Sequence, residues 1–158
     1  MILQIDSRFD EEPDIQKYGC QFMSLIFTLN RCGNIVVSTG IILAAFRVLQ
    51  AQEASYQPNP GAPVHVLGPQ CTMNNPDDMV KYFGMDYKRV CRFEDVNYIC
   101  QPGEEELLQF QRPGWYHWVA GDGKGNVAYD PEGYSLTVRD GHMIHKKIFT
   151  IIHKGVNA

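Results

Sequence analysis

Residues 115–131, WYHWVAGDGKGNVAYDP, constrain the fold more than any other part of the sequence. Glycines alternate through the centre at positions 121, 123 and 125, between runs rich in aromatic and aliphatic residues. Glycine adopts the positive φ angles of tight turns without steric cost, and aromatic or β-branched runs favour strands. The segment therefore predicts a β-hairpin, and with it an antiparallel sheet in the C-terminal half of the chain.

The register of this hairpin decides which of its polar residues meet. A turn centred between Gly123 and Lys124 would place His117 directly opposite Asp130. Directly opposed residues have Cβ atoms about 5 Å apart, so a carboxylate there can accept a hydrogen bond from an imidazole. The match requires a loop with an even number of residues, because an odd number shifts the pairing by one position. The same two residues would also suit a polar pair on an exposed sheet face.

Helical patterns fill the first half of the chain, and strand patterns fill the second. Apolar residues surround the helix predicted from Cys20 to Asn30, so we expect it to be buried. A second helix is predicted from about Thr39 to Gln52, with Ser38 or Thr39 as its cap, and a third begins after Asn75. Besides WYHWVA, strands are predicted in VHVLG, NVAYD, YSLTV and HKKIFTII, and a short helix or lid loop in EEELLQFQ. Helices followed by an antiparallel meander predict the α+β class.

Length and charge restrict the functional class. With 158 residues the chain can bury its own core, and we expect residues 1–158 to form a single domain. A net charge of −4 and the lack of a basic stripe argue against nucleic-acid binding. The most apolar window, residues 35–51, includes Arg47 and falls short of the ~20 apolar residues that a membrane helix needs. Because no secretory signal is visible, we expect a cytoplasmic protein that makes no membrane contact.

The chain has five cysteines, at positions 20, 32, 71, 91 and 100, without a CxxC pair. This pattern disfavours a disulfide framework and a zinc site, and we expect no metal or cofactor. Cys20 stands out because it begins the buried helix, where the helix dipole stabilises a thiolate. A cysteine nucleophile also needs a base and a group to orient that base, and His117 and Asp130 supply one of each. Cys71, which precedes the third helix, is the alternative nucleophile.

The stretches YGCQFMSL and YHWVAGDGKGNVAYDP resemble the papain-like cysteine peptidases. The similarity is greatest to the compact bacterial type, which includes the double-glycine leader peptidases of bacteriocin exporters and their stand-alone or phage-associated relatives. In that type a Cys opens a buried helix near the N-terminus, a His begins a later strand, and an Asp-Pro or Asn-Pro ends the next strand. Cys20, His117 and Asp130-Pro131 match these positions, and the resemblance spans most of the chain.

The resemblance implies a papain-like fold, in which the N-terminal helix carrying Cys20 packs on the C-terminal antiparallel sheet. It implies hydrolysis of a peptide or amide bond in a peptide or protein substrate, through a Cys20-His117-Asp130 triad and an acyl-enzyme. Gln16 would correspond to the oxyanion-hole glutamine of the family, with the backbone N–H of Cys20 as a second donor. Gly19 would leave room for the substrate backbone. The alternative is a catalytically silent papain-fold binding protein of phage or mobile-element origin.

Substrate specificity would then come from the loops around the cleft, which we expect in SYQPNPGAP and CQPGEEELLQFQRPG. The second of these carries an acidic run, Glu104–Glu106. Such a run would either favour basic substrates or form the solvated start of a helix.

Overall fold

The computed structural model describes residues 2–33, 35–57 and 59–152, and for residues 86–91 and 152 it describes the backbone alone. Within these ranges the chain forms five α-helices and five β-strands, which confirms the predicted α+β class. None of the described helices is both long enough and apolar enough to cross a membrane. The helices are α1 (Pro13–Tyr18), α2 (Cys20–Gly33), α3 (Thr39–Ala51), α4 (Pro76–Tyr82) and α5 (Leu136–Asp140), and the strands are β1 (Asp86–Glu94), β2 (Glu104–Arg112), β3 (Trp115–Gly121), β4 (Val127–Tyr129) and β5 (His142–Ile152).

All five strands belong to one antiparallel sheet, in the order β1-β5-β2-β3-β4. Strands β2, β3 and β4 follow one another as a meander, and β5 returns to pair between β1 and β2. β4 is short and pairs only with the end of β3, at Ala120 and Gly121. Among the described residues, no strand therefore pairs with the N-terminal half of β3 on that edge.

Helix α2 packs against the sheet, and its apolar residues explain why. Phe22, Leu25 and Leu29 are buried, as the helical spacing of the sequence predicts. The hydroxyl of Ser24 donates a hydrogen bond of 3.2 Å to the carbonyl oxygen of Trp118 in β3. Removing one such leucine side chain to alanine would cost about 2–5 kcal/mol of folding free energy. The start of α2 is thus held beside the middle of β3.

Gly19 joins α1 to α2 and is buried. Its backbone N–H donates to the carbonyl oxygen of Ile15 at 2.9 Å, and the N–H of Met23 donates to the carbonyl oxygen of Gly19 at 2.8 Å. A Cβ atom at position 19 would collide with the Ile15 carbonyl. The missing side chain is therefore explained by this helix junction, and the space that we expected for a substrate backbone is filled by Ile15.

The prediction of a helix or lid loop for EEELLQFQ is wrong, because these residues lie in β2. Leu107 and Leu108 are fully buried although they are consecutive, as expected for a strand that is covered on both faces. Each acid of the run is paired within the protein: Glu104 with Arg92 at 2.7 Å, Glu105 with Arg31, and Glu106 with Lys146 at 2.9 Å. The acidic run is therefore a structural feature of the sheet, neither a helix start nor a free charged loop.

Two further strand predictions are wrong. YSLTV forms α5, because the Ser135 hydroxyl caps the backbone N–H of Val138 and starts a helical turn. VHVLG forms only isolated bridges, which pair Glu53 with His65 and Leu67 with Met73. Strand β1 was not predicted from the sequence at all.

The Glu106–Lys146 pair anchors the glycine-rich turn to the sheet. Both side chains have no exposed surface. Glu106 Oε1 accepts the backbone N–H groups of Gly123 at 2.9 Å and Gly125 at 2.8 Å, while Lys146 Nζ donates to the carbonyl oxygen of Tyr98 at 2.7 Å. Each buried charge thus has a partner, which it needs to offset its lost hydration. The pair fixes the turn between β3 and β4.

Candidate active site

Cys20 is the first residue of α2 and is half-buried. The bond from Ser24 to Trp118, one helical turn further on, holds this end of α2 beside β3. The thiol of Cys20 interacts with the ring of His117, the residue that precedes Trp118, and raises the pKa of that ring. Helix α2 and strand β3 therefore bring together two side chains that are 97 positions apart in the sequence.

His117 is almost completely buried, with 3% of its side chain exposed. Its Nε2 lies 2.7 Å from Oδ1 of Asp130, a hydrogen bond in which the ring donates to the carboxylate. Since Asp130 occupies Nε2, Nδ1 is the nitrogen left for the thiol of Cys20. The same Nδ1 lies 3.7 Å from Oε1 of Glu132, whose side chain is 43% exposed. The imidazole thus interacts with both the Cys20 thiol and a fixed carboxylate.

Asp130 is positioned by the turn that follows β4. Its Oδ1 also accepts the backbone N–H of Glu132 at 3.0 Å, and its Oδ2 accepts the backbone N–H of Ser135 at 2.9 Å. The turn is closed by the Gly133 N–H, which donates to the Asp130 carbonyl at 2.9 Å. With 9% of its side chain exposed, Asp130 is held by the backbone in one orientation.

The predicted hairpin register is wrong, although the predicted contact is present. That register would pair Ala120 with Val127, whereas the structure pairs Ala120 with Tyr129 and Gly121 with Val127. An irregularity between the two pairs shifts the strands relative to each other. Asp130 consequently lies beyond the end of β4, and it reaches His117 from the turn and not from a directly opposed strand position.

The electrostatics of the His117–Asp130 pair favour the charged forms of both groups. Burial alone lowers the pKa of His117, but the hydrogen bond to Asp130 and the interaction with the Cys20 thiol outweigh it and raise that pKa to about 10. Burial raises the pKa of Asp130, whereas the hydrogen bonds from His117 and Ser135 lower it to about 2. At neutral pH an imidazolium at position 117 therefore faces a carboxylate at position 130.

Cys20 opens onto a cleft of about 560 Å³ between the helices and the sheet. A volume of this size lies within the range of small-molecule and cofactor sites. The residues that line it are Lys17, Tyr18, Cys20, Gln21, Gln70, Cys71, Thr72, Met73, Phe93, Gln109, Tyr116, Trp118, His145 and Lys147.

Comparison with known proteins assigns the chain to a family. A family model described as "Protein of unknown function, DUF261" matches residues 2–151. The chain belongs to the DUF261 family. No curated protein and no solved structure matches it.

In this DUF261 chain, the structure does not bring Gln16 into the cleft. The Nε2 of Gln16 donates to the carbonyl oxygen of Asp6 at 3.2 Å and to Oδ1 of Asp10 at 2.8 Å. Both amide hydrogens are therefore used by the N-terminal segment. Gln21, which sequence reasoning missed, lines the cleft beside Cys20. Its Nε2 is a buried donor that has no hydrogen-bond partner among the described residues.

Cys71, the alternative nucleophile, lies in the cleft wall and is buried. Its Sγ lies 3.3 Å from the carbonyl oxygen of Asp14. Burial and the charge of Asp14 raise the pKa of Cys71 to about 12, which suppresses its thiolate. Cys71 and the preceding Gln70 both have positive φ angles, 52° and 57°, in a region that non-glycine residues seldom adopt. The loop is strained where it borders the cleft, a placement common at functional sites.

Two other cysteines of the DUF261 chain are unsuited to nucleophilic attack. Burial, together with the charge of Glu105, raises the pKa of Cys32 to about 11. Burial and the charge of Glu106 raise the pKa of Cys100 to about 12. The side chain of Cys91 lies outside the described residues. Of the four cysteines with described side chains, Cys20 is the one that raises the pKa of a histidine.

Proposed function

We propose that the protein is a thiol-dependent hydrolase of peptide or amide bonds, with Cys20 as nucleophile, His117 as acid–base group and Asp130 as orienting carboxylate. The observation that carries the proposal is that one imidazole, His117, interacts with the Cys20 thiol and is held by Asp130 at 2.7 Å, while Cys20 itself lines a cleft. Such a chain of contacts is the arrangement that nucleophilic catalysis requires. A papain-like arrangement, with the Cys helix packed on an antiparallel sheet, forms part of the same proposal.

In the first step the Cys20 thiolate attacks the carbonyl carbon of the scissile bond, and a carbon–sulfur bond forms. The carbonyl oxygen becomes an oxyanion in a tetrahedral intermediate. The carbon–nitrogen bond then breaks, and the leaving amine takes its proton from the His117 imidazolium. The raised pKa of His117 keeps that proton available at neutral pH. Asp130 fixes the ring through Nε2, so that Nδ1 faces the reacting atoms.

In the second step water hydrolyses the thioester. The imidazole of His117, now neutral, accepts a proton from the attacking water through Nδ1. The carbon–sulfur bond breaks and releases a carboxylic acid, and the thiolate of Cys20 and the imidazolium of His117 are restored. No metal or cofactor enters this cycle, and Cys20 must be reduced when each cycle begins, which suits the cytoplasmic location expected from the sequence.

For the oxyanion we propose the backbone N–H groups at the start of α2 and the side-chain amide of Gln21. The N-terminus of a helix carries partial positive charge, which stabilises an anion. A buried amide donor without a partner costs folding free energy, and an accepting oxygen in the cleft would offset that cost. Gln21→Ala should then lower kcat about a hundredfold, whereas Gln16→Ala should leave kcat unchanged. The opposite result would restore Gln16 to the role predicted from the sequence.

The test of hydrolysis uses a proteome-derived peptide library incubated with the wild-type protein and with Cys20→Ser. Mass spectrometry should detect new peptide termini with the wild type alone. If the two proteins give identical termini and both retain the same peptides, the protein is a binding module and the hydrolase proposal fails. Asp130→Asn serves as a graded control, because it keeps the thiol and the histidine but weakens the orientation of the ring.

A further inference from the structure

The charge of the Cys20 cleft is opposite to that of the whole protein. Two lysines, Lys17 and Lys147, line the cleft. No aspartate or glutamate belongs to the lining among the described residues. The chain as a whole carries a net charge of −4. Positive charge is thus concentrated at the surface where a substrate would meet the nucleophile.

Aromatic rings hold Lys147 at the sheet wall of the cleft. Its Nζ lies 4.9 Å from the ring centre of Trp118 and 5.3 Å from that of Phe93. An ammonium group is attracted to the face of an aromatic ring within about 6 Å of its centre. Lys147 also pairs with Phe93 across β5 and β1. The ammonium group is therefore positioned in advance and loses little conformational freedom when an anion binds.

His145 adds a neutral polar group to the same wall. Its ring lies 5.1 Å from that of Phe93 and 5.8 Å from that of Trp118. Burial and the nearby charge of Lys147 lower the pKa of His145, so the ring is uncharged at neutral pH. Gln109, which pairs with His145 across β2 and β5, contributes an amide to the lining. The cleft lining that includes Lys147 thus also contains two neutral polar side chains, His145 and Gln109.

The second lysine lies on the helical wall. Lys17 belongs to α1, and its Nζ lies 5.2 Å from the ring centre of Tyr18, which also lines the cleft. Behind this wall Asp14 borders Cys71, and Glu12 is paired with Arg47 at 2.8 Å. Neither carboxylate lines the cleft. The two lysines thus come from different walls of the cleft, which Cys20 also lines.

We propose that this cleft binds peptides through an acidic residue, whose carboxylate lies near the ammonium groups of Lys147 and Lys17. The apolar stem of that residue packs on the rings of Trp118 and Phe93. Selection of substrates by this preference rests on the proposed hydrolase function, but binding does not require turnover. The acidic preference replaces the basic-substrate alternative that the run Glu104–Glu106 suggested, because those acids are paired within the sheet.

The first test measures how the charge of a thiol reagent affects the rate at which it modifies Cys20. The full chain is treated with two thiol reagents that differ in charge, the anionic sulfonatoethyl and the cationic trimethylammonioethyl methanethiosulfonates. The anionic reagent should modify Cys20 faster, and the ratio of the two rates should fall about fivefold in Lys147→Met and in Lys17→Met. Lys147→Arg should keep the wild-type ratio. Lys124→Met is the matched control. Lys124 is exposed in the hairpin turn, and its replacement removes the same charge.

The inference is overturned if Lys147→Met and Lys17→Met change the ratio no more than Lys124→Met does. Because all variants keep His117, the attraction of its imidazolium for anions is common to every measurement. A circular dichroism spectrum of each variant excludes unfolding as the cause of a changed ratio.

The second test separates binding from turnover. Calorimetry compares the binding of hexapeptides that carry Glu, Gln or Lys at one position to Cys20→Ser. The Glu peptide should bind about tenfold more tightly than the Lys peptide, and the preference should shrink with added salt and with Lys147→Met. Equal affinities, or no binding of any peptide, contradict the inference. If Glu peptides bind but the wild type cleaves none of them, the hydrolase proposal fails alone. If cleavage occurs regardless of charge, the acidic preference fails alone.

Discussion

His117 and Asp130 are joined by a hydrogen bond of 2.7 Å although they do not face each other across the β3–β4 ladder. Asp130 lies one residue past β4, in a turn whose backbone N–H groups hold both carboxylate oxygens. The orientation of the imidazole therefore depends on the conformation of residues 130–135. Because Asp130 holds Nε2, Nδ1 is the ring nitrogen left for Cys20.

The first prediction concerns Asp130 and acid. Its pKa of about 2 in the folded protein lies below the ordinary value of 3.8, so the folded state is stabilised above pH 4 and loses this stabilisation as pH falls through about 2. The shift corresponds to about 2 kcal/mol of unfolding free energy. Urea unfolding at several pH values should show Asp130→Asn less stable than the wild type by about that amount at pH 6. The gap should close by pH 2, and a gap independent of pH would contradict the assignment.

The second prediction concerns His117. His117→Ala should slow alkylation of Cys20 at pH 7 by tenfold or more, because the thiol loses the imidazolium that stabilises its anion. The ring is buried, so the alanine variant also leaves a cavity. His117→Gln, which fills more of that space but cannot take up or give a proton near neutral pH, separates the two effects. Rapid labelling in the glutamine variant would show that His117 does not activate the thiol.

The third prediction concerns the buried pair of Glu106 and Lys146. Lys146→Met should lower the free energy of unfolding by about 3–5 kcal/mol, because it leaves the Glu106 carboxylate buried without its cation. The double change Glu106→Leu with Lys146→Met removes both charges and should recover part of the loss. Denaturant unfolding provides the measurement. A double variant that is less stable than the single variant by a further 3 kcal/mol or so would mean that the N–H bonds of the turn dominate.

The fourth prediction concerns Gly19. Gly19→Ala should destabilise the protein by about 1–3 kcal/mol, since its Cβ would meet the carbonyl oxygen of Ile15 at the junction of α1 and α2. Thermal unfolding measures the loss. Lys17→Ala, at a neighbouring exposed position, is the control, because it shortens a side chain and adds no atom at the junction. Equal melting temperatures for Gly19→Ala and the wild type would contradict the described junction.

Local patterns in the sequence were sufficient where a residue's neighbours along the chain decide its structure. The apolar spacing of α2 predicts a buried helix that begins near Cys20, and Ser38 caps α3 through its hydroxyl as expected. Asn75 likewise caps α4. The glycines after β3 predict the hairpin. These signals lie within a few residues of the structure they specify.

Features that depend on distant partners could not be read from the sequence. The acids of β2 resemble a helix start until Arg31, Arg92 and Lys146, contributed by α2, β1 and β5, neutralise them. The irregularity in the β3–β4 ladder shifts the register by a local backbone deviation that carries no sequence signal of its own. The His117–Asp130 contact was predicted from a register that the structure does not have. Gln21 was missed because its position beside the cleft follows from packing of α2 on the sheet.

The most direct test of Cys20 as an activated nucleophile is to identify which cysteines a small, neutral thiol reagent alkylates first at pH 7. Folded protein is treated briefly with iodoacetamide and digested, and the modified cysteines are identified by mass spectrometry. If Cys20 is the nucleophile, it should react at least about a hundredfold faster than Cys32, Cys71 and Cys100, whose raised pKa values suppress their thiolates. Similar rates at Cys20 and at these three cysteines would contradict the assignment of Cys20 as an activated nucleophile.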